Sequence, residues 1–199
     1  DGVGNRGAVA MCGPSSVEYV VAYVAALRIG AAACPLAPSS TPEQLAAMMR
    51  DCGASLLFLD DAATAAVDGV ANPPSAKRVA LEGAANPAFD AWLAPAGARP
   101  SPVDLDPEQP FNIIYSSGTT GTPKGIVQPH RMRWGHIRRA EGLGYGPESI
   151  TVVSTPLYSN TTLVSLIPAL VRGGTVVLMR KFDARGFLEL AQKHRATHA

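Results

Sequence analysis

Charge is scarce in this 199-residue chain. Only 17% of its residues are Asp, Glu, Lys or Arg, against about 25% in ordinary soluble domains. The 17 basic residues offset 16 acidic ones to leave a formal charge of +1. No global field exists to hold such a chain on nucleic acid or an anionic membrane, so any anion site must be local. Aromatic residues make up 6%. No apolar stretch approaches the ~20 residues that cross a bilayer; Val20 to Leu27, among the longest, is interrupted well short of that. The three cysteines, Cys12, Cys34 and Cys52, include no C-x-x-C pair and sit among apolar neighbours. They read as small core residues in a reducing compartment, the cytoplasm, and not as a disulfide scaffold. His194 and His198 stand four apart without further ligands nearby, so no metal cluster is expected.

What is present is apolar residue, 47% of the chain, which excludes a disordered polymer and is ample for a buried core. Gly7 to Cys12 is a short apolar run before Gly13-Pro14 and reads as a buried strand. A helix follows, with Ser15 and Glu18 at capping-box spacing, Val17, Val20, Val21 and Val24 on the expected buried face, and Gly30 as its stop. The unit repeats. Ala31 to Leu36 is the next strand. Thr41 and Gln44 cap a helix with Pro42 at its first position, Leu45, Met48, Met49 and Cys52 along one face, and Gly53 at its end. Ser55 to Leu59 is a third strand, and Asp60-Asp61 caps a helix over about 62–69. Apolar strands alternating with helices predict an α/β fold whose mainly parallel sheet is covered by helices on both faces.

Prolines 95, 100, 102, 107 and 110 interrupt regular structure over 94–110. That stretch reads as a connection between βα units in 1–93 and a second region, 111–199. There the expected order is strand 111–115, a Gly/Thr loop, strand 125–128, helix 130–141, strand 150–154, helix 162–171, strand 175–179 and helix 184–194. The chain opens at Asp1 without Met and stops at Ala199 without a terminating signal, which reads as an excerpt of a longer protein.

The segment Tyr115-Ser-Ser-Gly-Thr-Thr-Gly-Thr-Pro-Lys-Gly125 carries the chemistry. Its glycines let backbone N–H groups approach an anion, its hydroxyls add donors or a metal contact, and Lys124 adds a mobile positive charge. Flexible hairpin loops share this composition, so the order of residues decides. A Walker loop needs glycine before the lysine and Ser or Thr after it, whereas Pro123 precedes Lys124 and Gly125 follows.

In that order the segment resembles the phosphate-binding signature of the adenylate-forming superfamily, with its acyl-CoA synthetases, luciferases and peptide-synthetase adenylation domains. About eight restricted positions make a chance match of order 10⁻⁹ per start position. Val20 to Pro38 is similar to the family's upstream helix-turn-strand, and Thr155-Pro-Leu-Tyr158 resembles the segment bordering its acyl pocket. The resemblance spans essentially the whole chain and implies the first part of the larger, N-terminal domain. The family's adenine segment, ribose-binding aspartate, hinge and C-terminal catalytic lysine would lie beyond Ala199.

By resemblance, Ser116, Ser117, Gly118, Thr119, Thr120, Gly121 and Lys124 contact the phosphates of ATP, with Lys124 catalytic and Thr119 or Thr120 on Mg²⁺. Tyr158 and Ser159 border the acid, although many CoA ligases carry His where Ser159 stands. The implied reaction joins a small carboxylic acid to CoA through an acyl-adenylate, with a peptide-synthetase-type domain or a non-catalytic phosphate-binding module as alternatives. The loop's Ser-Gly-Thr-Thr-Gly favours the CoA branch, since peptide synthetases more often read Ser-Gly-Ser-Thr-Gly. The chain by itself is expected to be inactive and to self-associate. The run His130, Arg131, Arg133, His136, Arg138, Arg139 reads as a solvated helix face rather than a CoA or nucleic-acid contact.

Overall fold

The computed structural model describes residues 2–83, 88–116 and 123–199. The chain divides into two compact units, Asp1–Gly13 with Glu18–His130, and Pro14–Val17 with Arg131–Ala199.

The first unit is built on β1 (Ala8–Cys12), α1 (Val17–Arg28), β2 (Ala32–Leu36), α2 (Pro42–Asp51), β3 (Leu56–Leu59), α3 (Asp61–Asp68), β4 (Lys77–Ala80), α4 (Phe89–Trp92), β5 (Pro110–Ser116) and β6 (Lys124–Pro129). Its six-stranded sheet runs β4-β3-β1-β2-β5-β6, parallel throughout except for the antiparallel β5–β6 pair. The chain moves one way from β1 to β2 and back past β1 to reach β3. Right-handed crossovers therefore set α1 on one face and α2 and α3 together on the other, and α2 packs beside α3.

Every residue of β1, β2 and β3 is buried, as strands covered on both faces require. On the α2 side, Ala8, Ala10, Cys12, Cys34, Leu36, Leu57 and Leu59 meet Leu45, Met48 and Met49. On the opposite side, Tyr19 and Tyr23 of α1 are buried, with the Tyr19 hydroxyl 3.4 Å from Met11 O, and Phe58 meets Phe89 and Trp92 of α4 at 6.1 and 4.9 Å.

The α2 cap forms as its sequence predicts, with Thr41 and Gln44 bonded reciprocally and Pro42 at the first turn. Asp60 Oδ1 accepts from Ala63 N at 2.7 Å to start α3. The face of α1 differs from expectation. Val17, Val21 and Val24 are 66, 41 and 43% exposed, while Tyr19, Ala22, Tyr23 and Ala26 are buried. Both sets repeat at i, i+3 or i+4, i+7. The observed choice buries two large rings and lets two alanines bring the helix backbone close to the sheet.

β5 carries a bulge. Pro110 and Asn112 oppose the consecutive residues Pro129 and Gln128, leaving Phe111 as the extra residue. Phe111 meets Tyr23 of α1 and His130, with ring centroids 6.3 and 5.1 Å apart, while Ile113 and Tyr115 join the α2-side core. Pro110 opens the strand, a position where the missing N–H costs no ladder bond.

The second unit holds α5 (His130–Arg139, whose first residue belongs to the first unit), a 3-10 turn at Ala140–Leu143, β7 (Ile150–Val153), α6 (Asn160–Val171), β8 (Thr175–Leu178) and α7 (Ala184–His194). β7 and β8 pair in parallel, and the chain returns to β7 where Val152 N donates to His198 O at 3.0 Å. The His198 ring stacks on Tyr145 at 4.3 Å.

Candidate functional site

β5 and β6 form the stem of the candidate site. Their antiparallel ladder pairs Ile113 with Val127, Ile114 with Ile126, Tyr115 with Gly125 and Ser116 with Lys124. The last rung thus places a serine and a lysine opposite each other, both exposed, at the two ends of the intervening residues 117–123. Ser117, Gly118, Thr119, Thr120 and Gly121, expected to contact phosphate, lie outside the described residues. Gly125 is needed for close approach, since a Cβ there would come within 3.1 Å of Ile113 Cγ2 and 3.2 Å of Tyr115 Cε1.

Tyr115 fixes this stem to the α2 layer. Its Oη lies 2.6 Å from Asp51 Oδ2 and 3.1 Å from Met48 O, so one phenolic proton is directed chiefly at the nearer, charged acceptor. Burial, followed by that hydrogen bond, raises the phenol above its ordinary range. At the other end of the hairpin, His130 N donates to Gln109 O at 3.0 Å. Gln109 Nε2 bonds both Asn5 Oδ1, at 2.6 Å, and Gly30 O. The hairpin is therefore held to helix α2 at one end and to the Gly30 turn at the other. Tyr115–Asp51 spans 64 positions and Gln109–Asn5 spans 104, separations at which spacing carries no signal.

Tyr158 and Ser159 belong to the second unit, where both are half-buried in the turn before α6. Ser159 occupies the α6 N-cap position without a side-chain cap bond, and its N–H donates to Pro156 O at 2.9 Å. Thr162, fully buried, locks this turn. Its hydroxyl donates to Pro156 O at 2.7 Å, so at 2.6 Å the Thr155 hydroxyl must donate to it. Thr162 is thereby engaged in structure.

The basic run is not one solvated face. Arg131, Arg138 and Arg139 are exposed, but Arg133 is 2% exposed and donates to Asn160 Oδ1 at 2.7 Å. Burial lowers the pKa of His130 and His136, with the Arg133 and Arg139 charges adding to the effect at His136. Spacing registers charge but not the Asn160 partner, 27 positions away, that Arg133 reaches. Among the described residues, no group of three or more His, Cys, Asp or Glu is placed to hold a metal ion, and no helix is long and apolar enough to cross a membrane.

The family described as AMP-binding enzyme matches residues 1–199, the whole chain. The chain belongs to this family. It is 30% identical over its full length to 4-coumarate–CoA ligase 5 of Oryza sativa subsp. japonica, covering 38% of that protein. It is 32% identical over 92% of its length to the fatty acid–[acyl-carrier-protein] ligase ScoC of Streptomyces coeruleorubidus, covering 36% of that relative. The structure of a luciferase-like enzyme from the mealworm Zophobas morio superposes with a TM-score of 0.84 at 21% identity, over 98% of this chain and 47% of that one. This last likeness concerns the fold alone. The chain spans less than half the length of each of these proteins, and its sequence corresponds to the N-terminal portion of the relatives.

Proposed function

We propose that this chain forms the phosphate-gripping part of an ATP-dependent carboxylic acid–CoA ligase. The observation that carries the reading is the Ser116–Lys124 rung, which sets a serine and a lysine opposite each other at the ends of a hydroxyl- and glycine-rich segment in a member of the AMP-binding family.

In this reading a carboxylate oxygen of the acid attacks the α-phosphorus of ATP, and the bond to pyrophosphate breaks. Lys124, with N–H and hydroxyl donors of Ser116, Ser117, Gly118, Thr119, Thr120 and Gly121, balances the charge gathering on the phosphate oxygens. Thr119 or Thr120 would hold Mg²⁺, which would supply further charge compensation. Tyr158 and Ser159 line the acid. The acyl group then passes to the thiol of CoA. Three free cysteines support a reducing, cytoplasmic setting.

A second reading changes only the acceptor. The 32% identity to a ligase that acts on an acyl-carrier protein supports transfer to a carrier's pantetheine thiol. Acid-dependent exchange of labelled pyrophosphate into ATP, measured on the enzyme that contains these residues, tests the adenylation step. Product mass with CoA or a carrier protein then separates the acceptors. Absence of exchange across aliphatic, aromatic and amino acids would overturn both readings.

A further inference from the structure

Resting on the ligase reading, we infer that Asp51, at the end of α2, is a positioning residue for the proposed phosphate segment. It acts through Tyr115 on the two strand ends that carry Ser116 and Lys124.

Asp51 is the last residue of α2. A carboxylate there stands at the negative end of the helix, among carbonyls the helix leaves unmatched, where a basic residue is favoured. Helix chemistry alone therefore gives no reason for an acid at this position. The neighbouring Arg50 is directed elsewhere, its guanidinium donating to Asn72 O at 2.6 Å. What compensates the carboxylate is the Tyr115 phenol, whose Oη lies 2.6 Å from Asp51 Oδ2, a separation typical of a hydroxyl donating to a charged oxygen. Met48 O, 3.1 Å from the same Oη, already accepts from Cys52 N at 3.0 Å. The phenolic proton thus serves Asp51.

The ring touches both strands of the hairpin. Tyr115 pairs with Gly125 in the β5–β6 ladder, and a Cβ added to Gly125 would come within 3.2 Å of Tyr115 Cε1 and Cζ. The ring therefore lies against the bare α-carbon of the residue after Lys124, while its own backbone leads into Ser116. With its hydroxyl fixed on α2, the ring cannot swing away from Gly125 without losing the Asp51 bond. Asp51 in this way sets how the last two rungs sit on the sheet, and so the points from which the serine and lysine side chains project. Asp51, Tyr115 and both strands belong to the first unit. A cation acts through where it stands as negative charge develops, so loosening these strand ends should cost turnover and not ATP affinity.

The test measures acid-dependent ATP–pyrophosphate exchange on the enzyme that contains these residues, in wild type, Asp51→Ala, Asp51→Asn, Tyr115→Phe and the double variant Asp51→Ala/Tyr115→Phe. Asp51→Ala should lower kcat about tenfold while KM for ATP stays within about twofold. Asp51→Asn keeps an oxygen acceptor and should recover to within about threefold of wild type. The double variant should be no slower than Tyr115→Phe, because both changes break one link. In the ligand-free protein, amide hydrogen exchange along β5 and β6 should be faster in Asp51→Ala and in Tyr115→Phe than in wild type. Asp51 is exposed, so its variants should stay folded, and urea unfolding beside the kinetics keeps loss of fold apart from loss of position.

A wild type without exchange in any acid would remove the ligase reading and this inference with it. Exchange in wild type with an unchanged kcat in Asp51→Ala, a rise in KM alone, or multiplying losses in the double variant would overturn the positioning role and leave the reading intact. So would an Asp51→Asn no faster than Asp51→Ala, or unaltered amide protection along β5 and β6 in both single variants.

Discussion

Ser116 and Lys124 face each other across the final rung of the β5–β6 ladder. The lysine backbone is thereby tethered to the strand that enters the proposed phosphate segment, which leaves its exposed, mobile side chain at one end of that segment. Such a charge contributes most where negative charge develops during reaction. Lys124→Ala should lower acid-dependent ATP–pyrophosphate exchange by about 10²-fold or more. Ser116→Ala, which removes one neutral donor, should cost about tenfold. Steady-state exchange rates check both, and an unchanged rate for Lys124→Ala would contradict the assigned role.

Tyr115 supplies the brace behind that rung. Tyr115→Phe keeps the ring against the core but leaves Asp51 Oδ2 and Met48 O without the phenolic proton. The expected loss is about 1 kcal/mol, that of an ordinary hydrogen bond and below the usual range for a charged partner, because Asp51 is exposed and water replaces the donor. Urea unfolding of the two proteins side by side gives the difference. An unshifted midpoint would mean that the bond does not anchor the hairpin.

The core reports its pH dependence through Cys12. Its thiol is raised from 9.0 to about 12 in the folded chain, by burial first and the Asp60 charge second. Above pH 9 the unfolded chain releases this proton and the folded chain does not. The associated stability is therefore fully present below pH 9 and is lost as pH rises through 12. In reductant, wild-type stability should fall more steeply than that of Cys12→Ala across this window, by up to about 1.4 kcal/mol per pH unit for one proton. Parallel slopes would exclude the thiol as the titrating group.

Local signals in the sequence were reliable where one short segment decides the outcome. The Thr41–Gln44 box, the Asp60 cap and the positive φ of Gly30 and Gly53 all appear where side-chain chemistry sets them. Uniformly apolar strands also gave the two-sided sheet, because only burial on both faces suits such runs. Other features depend on partners distant in the chain. Helix α1 has two apolar stripes, and only packing against the sheet selects Tyr19 and Tyr23 over Val21 and Val24. β4 begins with Lys77-Arg78, and α4 is four residues long, so neither has a period to recognise. At the candidate site, composition and order point to a segment, but the Tyr115–Asp51 brace behind it arises from strand order.

The last expectation concerns the 199-residue chain taken alone. Its proposed phosphate contacts begin at two exposed residues, Ser116 and Lys124, and the chain covers 38% of 4-coumarate–CoA ligase 5 and 47% of the luciferase-like enzyme. A few solvent-exposed charge contacts give little beyond the entropic cost of association. MgATP should therefore bind with a Kd near millimolar (~1 mM), and no acyl-adenylate should form. The exposed apolar side chains Val164, Val171, Phe182 and Leu188 of the second unit favour concentration-dependent self-association. Isothermal titration with MgATP, an adenylate assay and sedimentation over a concentration series test these three expectations. Micromolar binding or measurable turnover would show that these residues supply more of the nucleotide site than the proposed phosphate contacts.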